Sequence, residues 1–360
     1  MANEYEIAVF NGDGIGPEIM KPTVSILEQL AAQSDTYSFD FKYADAGALH
    51  YANTGESLPE ESLEIAKRAD AILLSAMGLP SVRYDDGTEI SPQIELRKIL
   101  NLFAGVRPVR IAPGQSSPLN LNPEQAIDFV LIRESTEGLF YSQGKGEVSE
   151  HSASETLMIT KKTSEDLFEF AFSLAKQRKE LGQGKGKVTC VDKANVFRAF
   201  AFFRDIFDKE SVRHAAIESD HAYVDATALW MVTKPWDFDV LVTENMFGDI
   251  LSDLGAGIMG GLGLAPSADI GKDAAVFQPC HGSAPDIAGK NIANPFAMIL
   301  SAAMMLEWLG IKHNDIAMVD DAKRLRDAVD RVVVSGKGTT GDLGGNANTT
   351  EAGQAVMEML

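Results

Sequence analysis

From Tyr5 to Glu134 the chain alternates short apolar runs with amphipathic ones, and no other feature narrows its possible folds as much. "YEIAVFNGDGIGPEIMKPTVSILEQLAAQ" reads as strand, glycine turn and helix. Pro17 falls in the first turn of that helix, where its missing N–H leaves no partner wanting. "YSFDFKYAD" alternates like a strand, "LPEESLEIAKRA" is an amphipathic helix, "DAILLSAMG" a short buried strand and "SPQIELRKILNLFA" a helix. "VRPVRI" and "DFVLIRES" are again strands. Such alternation predicts an α/β sheet with covered faces.

The middle of the chain changes character. "GLFYSQGKGEVSEHSASETLMIT" is Gly/Ser-rich with strand-like ends, an arm or a hairpin. Helix "SEDLFEFAFSLAKQRK", strand "VTCVD", helices "KANVFRAFAFFRDIF" and "DHAYVDATALWMVT" and strand "FDVLVTE" follow, then helix "ENMFGDILSDLGAGIMGG". Beyond residue 263 the α/β pattern returns. The longest apolar run, "PFAMILSAAMML", is too short to span a bilayer and reads as a core helix packed through Met298, Met304 and Met305. No signal peptide is read at the start. A net charge of -20 argues against nucleic-acid binding, and any anionic ligand would need local arginines or a metal. Two cysteines, Cys190 and Cys280, fit a reducing cytoplasm.

Asp249 and Asp253 are four residues apart in an apolar helix, so their carboxylates lie about 6 Å apart. At an effective dielectric near 20 they repel by roughly 3 kcal/mol. Either the pair is a solvated face or a cation sits between them. Asp225 in "HAYVDATALW" is a candidate third ligand, and such an oxygen-rich set suits Mg²⁺ or Mn²⁺. Arg97 lies in a helix, Arg107 before a strand proline and Arg133 at a strand end, and strand ends are where α/β sheets bind ligands. Together they can grip two carboxylates; singly, each reads as a surface arginine. Lys193 is expected in the first turn of a helix capped by Asp192, where the helix dipole would lower its pKa toward that of a general base. "HGSAPDIAGKNIANP" is a loop whose N–H groups can meet phosphates, with His281 either stacking on a base or simply a loop residue. "GDGIGPE" fails as a dinucleotide fingerprint, because Pro17 stands where the third glycine belongs.

In order along the chain, "GDGIGPE", "LFAGVRPVR", "IREST", "DKANVF", "YVDATALW", "NMFGDILSDLGAGIMGGLG", "HGSAPDIAGKNIANP" and "TGDLGG" resemble the motifs of the β-decarboxylating dehydrogenases. This family includes isopropylmalate, isocitrate, homoisocitrate and tartrate/D-malate dehydrogenases. The resemblance implies an α/β, isocitrate/isopropylmalate dehydrogenase-like two-domain fold with a large central sheet and an interdomain cleft. It implies a discontinuous cofactor domain, 1–101 with 260–360, and a substrate and dimerisation domain, 102–259. It further implies a homodimer in which Lys193 and Asp225 reach the partner's site. The implied chemistry is NAD-dependent oxidative decarboxylation of a (2R)-hydroxy diacid of the malate type, 3-isopropylmalate by default. Arg97, Arg107 and Arg133 would hold the substrate, with Ser91 and Gln93 bearing on its side chain. Lys193, polarised by Asp225, would be the base. Asp225, Asp249 and Asp253 would hold Mg²⁺ or Mn²⁺. NAD would lie against His281, Gly282, Ser283, Ala284, Asp286, Ile287 and Asn294, with Asp286 favouring NAD over NADP.

Two departures from the family pattern stand out. Phe140 occupies the position where the family usually has a tyrosine acid, and Tyr141 follows it. As a strand, residues 140 and 141 would face opposite sides, so a bulge is needed for Tyr141 to serve as the donor. Ile90, Gln93, Ile94 and Arg97 share a helical face, and Gln93 interrupts the leucines usual in isopropylmalate enzymes. Isocitrate or tartrate/D-malate as substrate, dehydrogenation without decarboxylation, and a non-catalytic regulatory subunit are the alternatives; retention of Lys193, Asp225, Asp249 and Asp253 weighs against the last.

Overall fold

A computed structural model describes residues 2–120 and 125–360; Met1 and residues 121–124 of the two expected domains lie outside the described residues. The strands are β1 (Asn3–Phe10), β2 (Tyr37–Tyr43), β3 (Ala71–Leu74), β4 (Ala104–Arg110), β5 (Asp128–Glu134), β6 (Glu147–Val148), β7 (Ala153–Ser154), β8 (Lys187–Asp192), β9 (Glu218–Tyr223), β10 (Val240–Thr243), β11 (Pro266–Ile270) and β12 (Ala275–Pro279). The helices are α1 (Gly16–Gln33), α2 (Ala48–Thr54), α3 (Glu60–Arg68), α4 (Pro92–Ile99), α5 (Lys161–Glu180), α6 (Arg198–Arg213), α7 (Val224–Thr233), α8 (Asn245–Met259), α9 (Phe296–His313), α10 (Ile316–Ser335) and α11 (Thr349–Glu358).

Ten strands form one mixed sheet in the order β2-β1-β3-β12-β11-β4-β5-β10-β8-β9. β11 pairs antiparallel with both β12 and β4, and β4 antiparallel with β5; the flanking strands are parallel. Short central strands such as "AILL" and "VLVT" are buried at every position, as strands covered on both faces must be. The Gly/Ser-rich stretch forms an antiparallel hairpin, β6–β7. Helix α9 carries Met298 and Met305 at 0% exposure and Met304 partly buried against the same core. Its apolar length passes for a membrane span by composition alone, but its residues are mostly packed inside the fold.

Alternation along β4 and β5 separates two surfaces. Val109, Phe129 and Leu131 face one way and pack with α8 residues Leu251 and Ala256; Arg107 and Arg133 share that parity. Val106, Val130 and Ile132 face the other way into the larger core with α5 and α9. Gly248 lets α8 approach closely, because a Cβ there would lie 2.6 Å from the Cβ of Arg133. Asp249 and Asp253 emerge at the exposed edge of α8, not in its buried stripe.

Two expected elements differ. Lys193 is in a turn, and the helix begins only at Arg198. The Asp192 carboxylate accepts from Ala194 N (2.8 Å) and is gripped twice by Arg204, which holds the turn open before the helix. The dipole argument for Lys193 therefore does not apply. "DHAYVDATALW" begins as strand β9 and only then becomes α7, which leaves Asp225 in the first turn of that helix.

Candidate functional site

A cleft of about 390 Å³ opens at the ends of the central strands, and its walls include Gln93, Arg97, Arg107, Arg133, Asp249 and Asp253. Arg97, in the last turn of α4, donates through Nε to Asp269 Oδ2 at 3.0 Å. Arg107, on β4, donates through Nη2 to Asp269 Oδ1 at 3.3 Å and through Nη1 to the Ala268 carbonyl at 3.1 Å. Arg133, at the end of β5, donates through Nε and Nη2 to Asn245 Oδ1 at 2.9 and 2.7 Å and pairs with Asp249. Three strands and two helices thus converge three guanidiniums that are scattered in sequence.

Burial lowers the pKa of Arg133 to about 10, with Arg97 adding to the shift and Asp249 opposing it. The group stays charged at neutral pH. Burial also raises the pKa of Asp253, and the neighbouring Asp249 raises it further against the pull of Arg133 and Arg107. A divalent cation would relieve that repulsion, and carboxylate oxygens are the donors that Mg²⁺ and Mn²⁺ favour. Gln93 Oε1 is buried in the cleft with no partner among the described residues.

At His281 and Gly282 this cleft adjoins a second cavity of about 730 Å³, walled by Ala284, Ile287, Ile292, Asn294 and Asp342 among others. His281 Nδ1 lies 3.0 Å from the Gly282 carbonyl, while its buried Nε2 has no partner among the described residues. Burial lowers the imidazole's pKa, so the ring is neutral at pH 7. With Nδ1 donating to that carbonyl, Nε2 is an acceptor, and a donor from a bound cofactor would satisfy it. Ser283 faces inward instead, donating to the Gly78 carbonyl, and Asp286 is exposed at the loop surface.

"GDGIGPE" has a structural task. Gly12 and Gly14 have φ of 70° and 58°, and a Cβ on either would lie about 2 Å from a backbone carbonyl, that of Ala76 or Ser283. Asp13, 2% exposed, accepts from the N–H groups of Ala48, Leu49 and Gly78, each at 2.8 Å. Glu18 accepts from Gly289 and from Asn291 N (2.8 Å), tying α1 to the HGSAPD loop.

Lys193 and Asp225 are elsewhere. Lys193 Nζ meets Asp225 Oδ1 at 2.6 Å, with the Asp225 side chain 70% exposed, and neither residue lines the cleft. That hydrogen bond holds Asp225 below the usual carboxylate range. Among the described residues no three His, Cys, Asp or Glu side chains gather as a metal site, so Asp225 does not join Asp249 and Asp253 within one chain. Beside them, α7 and α8 expose Leu229 (60%), Val232 (45%) and Ile250 (62%).

Ser91 sits at the N-cap of α4 outside the cleft wall. Residues 139–142 form a 3₁₀ turn rather than a strand. Phe140 lines the cleft with its ring under Arg133, the guanidinium carbon 5.4 Å from the centroid. Tyr141 turns outward, 44% exposed, beneath Lys145. The bulge that would have brought Tyr141 inward is absent. A third cavity, of about 320 Å³, lies on the opposite face of the sheet. Its rim guanidiniums Arg110, Arg178 and Arg326 are paired with Asp330, Asp128 and Glu307.

Asp269, Asn245 and Gln278 are missing from the sequence reading. The available signal was a lone acid inside "PSADI", a strand buried at all five positions. A buried acid there demands partners, but nothing local says which.

The family model described as isocitrate/isopropylmalate dehydrogenase matches residues 6–356. The chain is 44% identical over 357 residues to a 3-isopropylmalate/3-methylmalate dehydrogenase of Methanocaldococcus jannaschii, spanning 99% of both chains. It is 40% identical over 358 residues to a 3-isopropylmalate dehydrogenase of Archaeoglobus fulgidus, again over 99% of both. Among solved structures, isocitrate dehydrogenase from Methylococcus capsulatus superposes with a TM-score of 0.85 at 35% identity, covering 99% of each chain.

Proposed function

This chain belongs to the isocitrate/isopropylmalate dehydrogenase family, and we propose that it catalyses NAD-dependent, metal-dependent oxidative decarboxylation of a (2R)-hydroxy diacid of the malate type. The observation that carries this reading is the cleft itself, where three arginines face two acidic side chains. The default substrate is 3-isopropylmalate, in keeping with the names of the two curated relatives.

Arg97, Arg107 and Arg133 bind the substrate carboxylates in charge-assisted hydrogen bonds. Asp249 and Asp253, with Asp225 of a second copy, would hold Mg²⁺ or Mn²⁺. When bound, the cation supplies Lewis-acid stabilisation of the negative charge that develops during oxidation and CO₂ loss, and NAD accepts the hydride. Lys193 takes the C2 hydroxyl proton as the neutral amine and becomes the ammonium, and Asp225, 2.6 Å away, orients that nitrogen. His281, Gly282, Ala284, Ile287 and Asn294 wall the pocket for the adenosine end, and Ser283 braces it from behind. Asp286 accepts from the ribose hydroxyls and repels a 2′-phosphate. The exposed apolar faces of α7 and α8 favour a homodimer that brings Lys193 and Asp225 to the other copy's cleft. The chain would divide into 1–101 with 260–360 for cofactor and 102–259 for substrate and dimerisation. Two free thiols favour a cytoplasmic location.

Gln93 supports a second reading of the substrate. Its unpartnered Oε1 suits a C3 substituent that carries a hydroxyl donor better than a purely alkyl one. Assay of NADH and CO₂ with 3-isopropylmalate, isocitrate, D-malate and tartrate, with and without Mn²⁺, tests both. Equal release of NADH and CO₂ with one acid is expected; NADH without CO₂ would favour simple dehydrogenation, and neither with any acid would overturn the proposal.

A further inference from the structure

We propose that Asp269 is a positioning residue that fixes Arg97 and Arg107 for substrate from behind the cleft, an inference that rests on reading those arginines as the substrate grip. Asp269 is 0% exposed at the centre of the sheet and is not part of the cleft wall. Its carboxylate accepts four hydrogen bonds. Oδ1 takes Arg107 Nη2 (3.3 Å) and Ser135 Oγ (3.0 Å); Oδ2 takes Arg97 Nε (3.0 Å) and Gln278 Nε2 (2.6 Å). The carboxylate's acceptor capacity is thereby filled, so it has one orientation.

The surrounding backbone leaves room for it. Gly105 lies opposite Asp269 in the β4–β11 register, and a Cβ there would stand 3.1 Å from Oδ1 and 2.5 Å from Ser135 Oγ. A larger residue there would displace the Ser135 hydroxyl that donates to Oδ1 and crowd the carboxylate.

The geometry also divides the arginines' hydrogen-bonding groups. Arg97 gives Asp269 only its Nε, and its two terminal nitrogens have no partner among the described residues. Arg107 is tied by Nη2 to Asp269 and by Nη1 to the Ala268 and Val106 carbonyls. Without Asp269, three guanidiniums facing one cleft would repel one another, with Asp249 on Arg133 as the remaining close counter-charge. A carboxylate set behind them holds the arginines without competing for the substrate's place.

A residue that positions a grip made in the ground and transition states alike acts on KM more than on kcat. Asp269→Asn keeps the shape and removes the charge. We expect KM for the active diacid to rise about tenfold with kcat within about twofold. Asp269→Asn combined with Gln278→Glu returns a carboxylate to the same cluster and is expected to restore KM to within about threefold. Should Asp269→Asn fold poorly, Ser135→Ala, a milder change outside the grip that removes one donor to Oδ1, takes its place and is expected to raise KM about twofold.

A second measurement needs no turnover. Phenylglyoxal labels free guanidiniums, and peptide mass spectrometry of substrate-free protein reads Arg97 and Arg107 separately. Both should label about tenfold faster in Asp269→Asn and return to the wild-type rate in the double variant. Unchanged labelling and KM in folded variants would overturn the proposal, as would a folded double variant that restores neither. If wild type turns over no diacid, the functional reading fails, and the labelling rates still decide the role of Asp269.

Discussion

The arginine wall of the cleft and the Lys193–Asp225 pair are built in opposite ways. The arginines are largely buried, and each is already held: Arg97 and Arg107 by Asp269, Arg133 by Asn245 and Asp249. Lys193 and Asp225 make one close ion pair, in a turn and at a helix start, with the carboxylate mostly exposed. One chain finishes the first group but leaves the second at a surface lined with Leu229, Val232 and Ile250. A preorganised anion grip can be assembled within a single chain, whereas the proposed proton-transfer pair would need a second copy to find its substrate.

The largest expected effect comes at the edge where the two regions would meet. Asp249→Asn and Asp253→Asn should each lower kcat/KM by about 10⁴-fold, since a lost metal site forfeits several kcal/mol of charge stabilisation. Mn²⁺ titration followed by electron paramagnetic resonance should show weakened binding, and full activity in excess chelator would break this account. Lys193→Ala should reduce kcat by about 10³-fold. Mixing Lys193→Ala chains with Asp253→Asn chains sharpens the comparison further. If sites are shared, each heterodimer rebuilds one intact site, and about half of wild-type activity per heterodimer should return. No recovery in verified heterodimers would place Lys193 in its own chain's cleft.

Cofactor choice comes next. NAD should exceed NADP in kcat/KM by about 100-fold, with Asp286→Ala narrowing the gap; equal efficiency with both cofactors would remove Asp286 from that role. The two regions should also part in acid. Against desolvation, which raises it, Arg97, Arg107 and Arg133 draw Asp269 below the usual carboxylate value. Its contribution to stability is therefore fully present above its unfolded pKa of about 3.9 and is lost as pH falls through the depressed native value. Urea unfolding of wild type and Asp269→Asn should show a gap that is constant from pH 7 to about 5 and shrinks below about pH 4. Asp253, with its raised pKa, takes up its proton earlier on acidification, so Mn²⁺ affinity should weaken before the arginine cluster does. The smallest effect is at Tyr141. Exposed and turned from the cleft, Tyr141→Phe should change kcat by less than about twofold, and slow product formation after a normal hydride-transfer burst would instead restore it as the late acid.

Much of this was readable along the chain because it depends on local patterns. Strand and helix periodicity gave the α/β class and most elements, and four-residue spacing put Asp249 and Asp253 on one helix face. The errors fall where a neighbour distant in sequence decides. Lys193 was read onto a helix, but Arg204 and Asp192 hold a turn there. Tyr141 was read by strand alternation, but the segment is a 3₁₀ turn that seats Phe140 under Arg133. "GDGIGPE", rejected from the sequence as a dinucleotide fingerprint, is a brace in the structure, with Asp13 capping α2 and Glu18 holding residues 289 and 291.

The sequence by itself determined most of the strands and helices, where glycine turns fall, and that Asp249 and Asp253 share a helix face, because backbone sterics and hydrophobic period act over a few residues. Only the tertiary structure decided which charges meet. Arg97 and Arg107 share Asp269 across separations of 172 and 162 residues, and that meeting depends on β11 inserting antiparallel between β12 and β4. Strand order is a long-range choice that no local spacing encodes, and the environment of a buried charge follows from it.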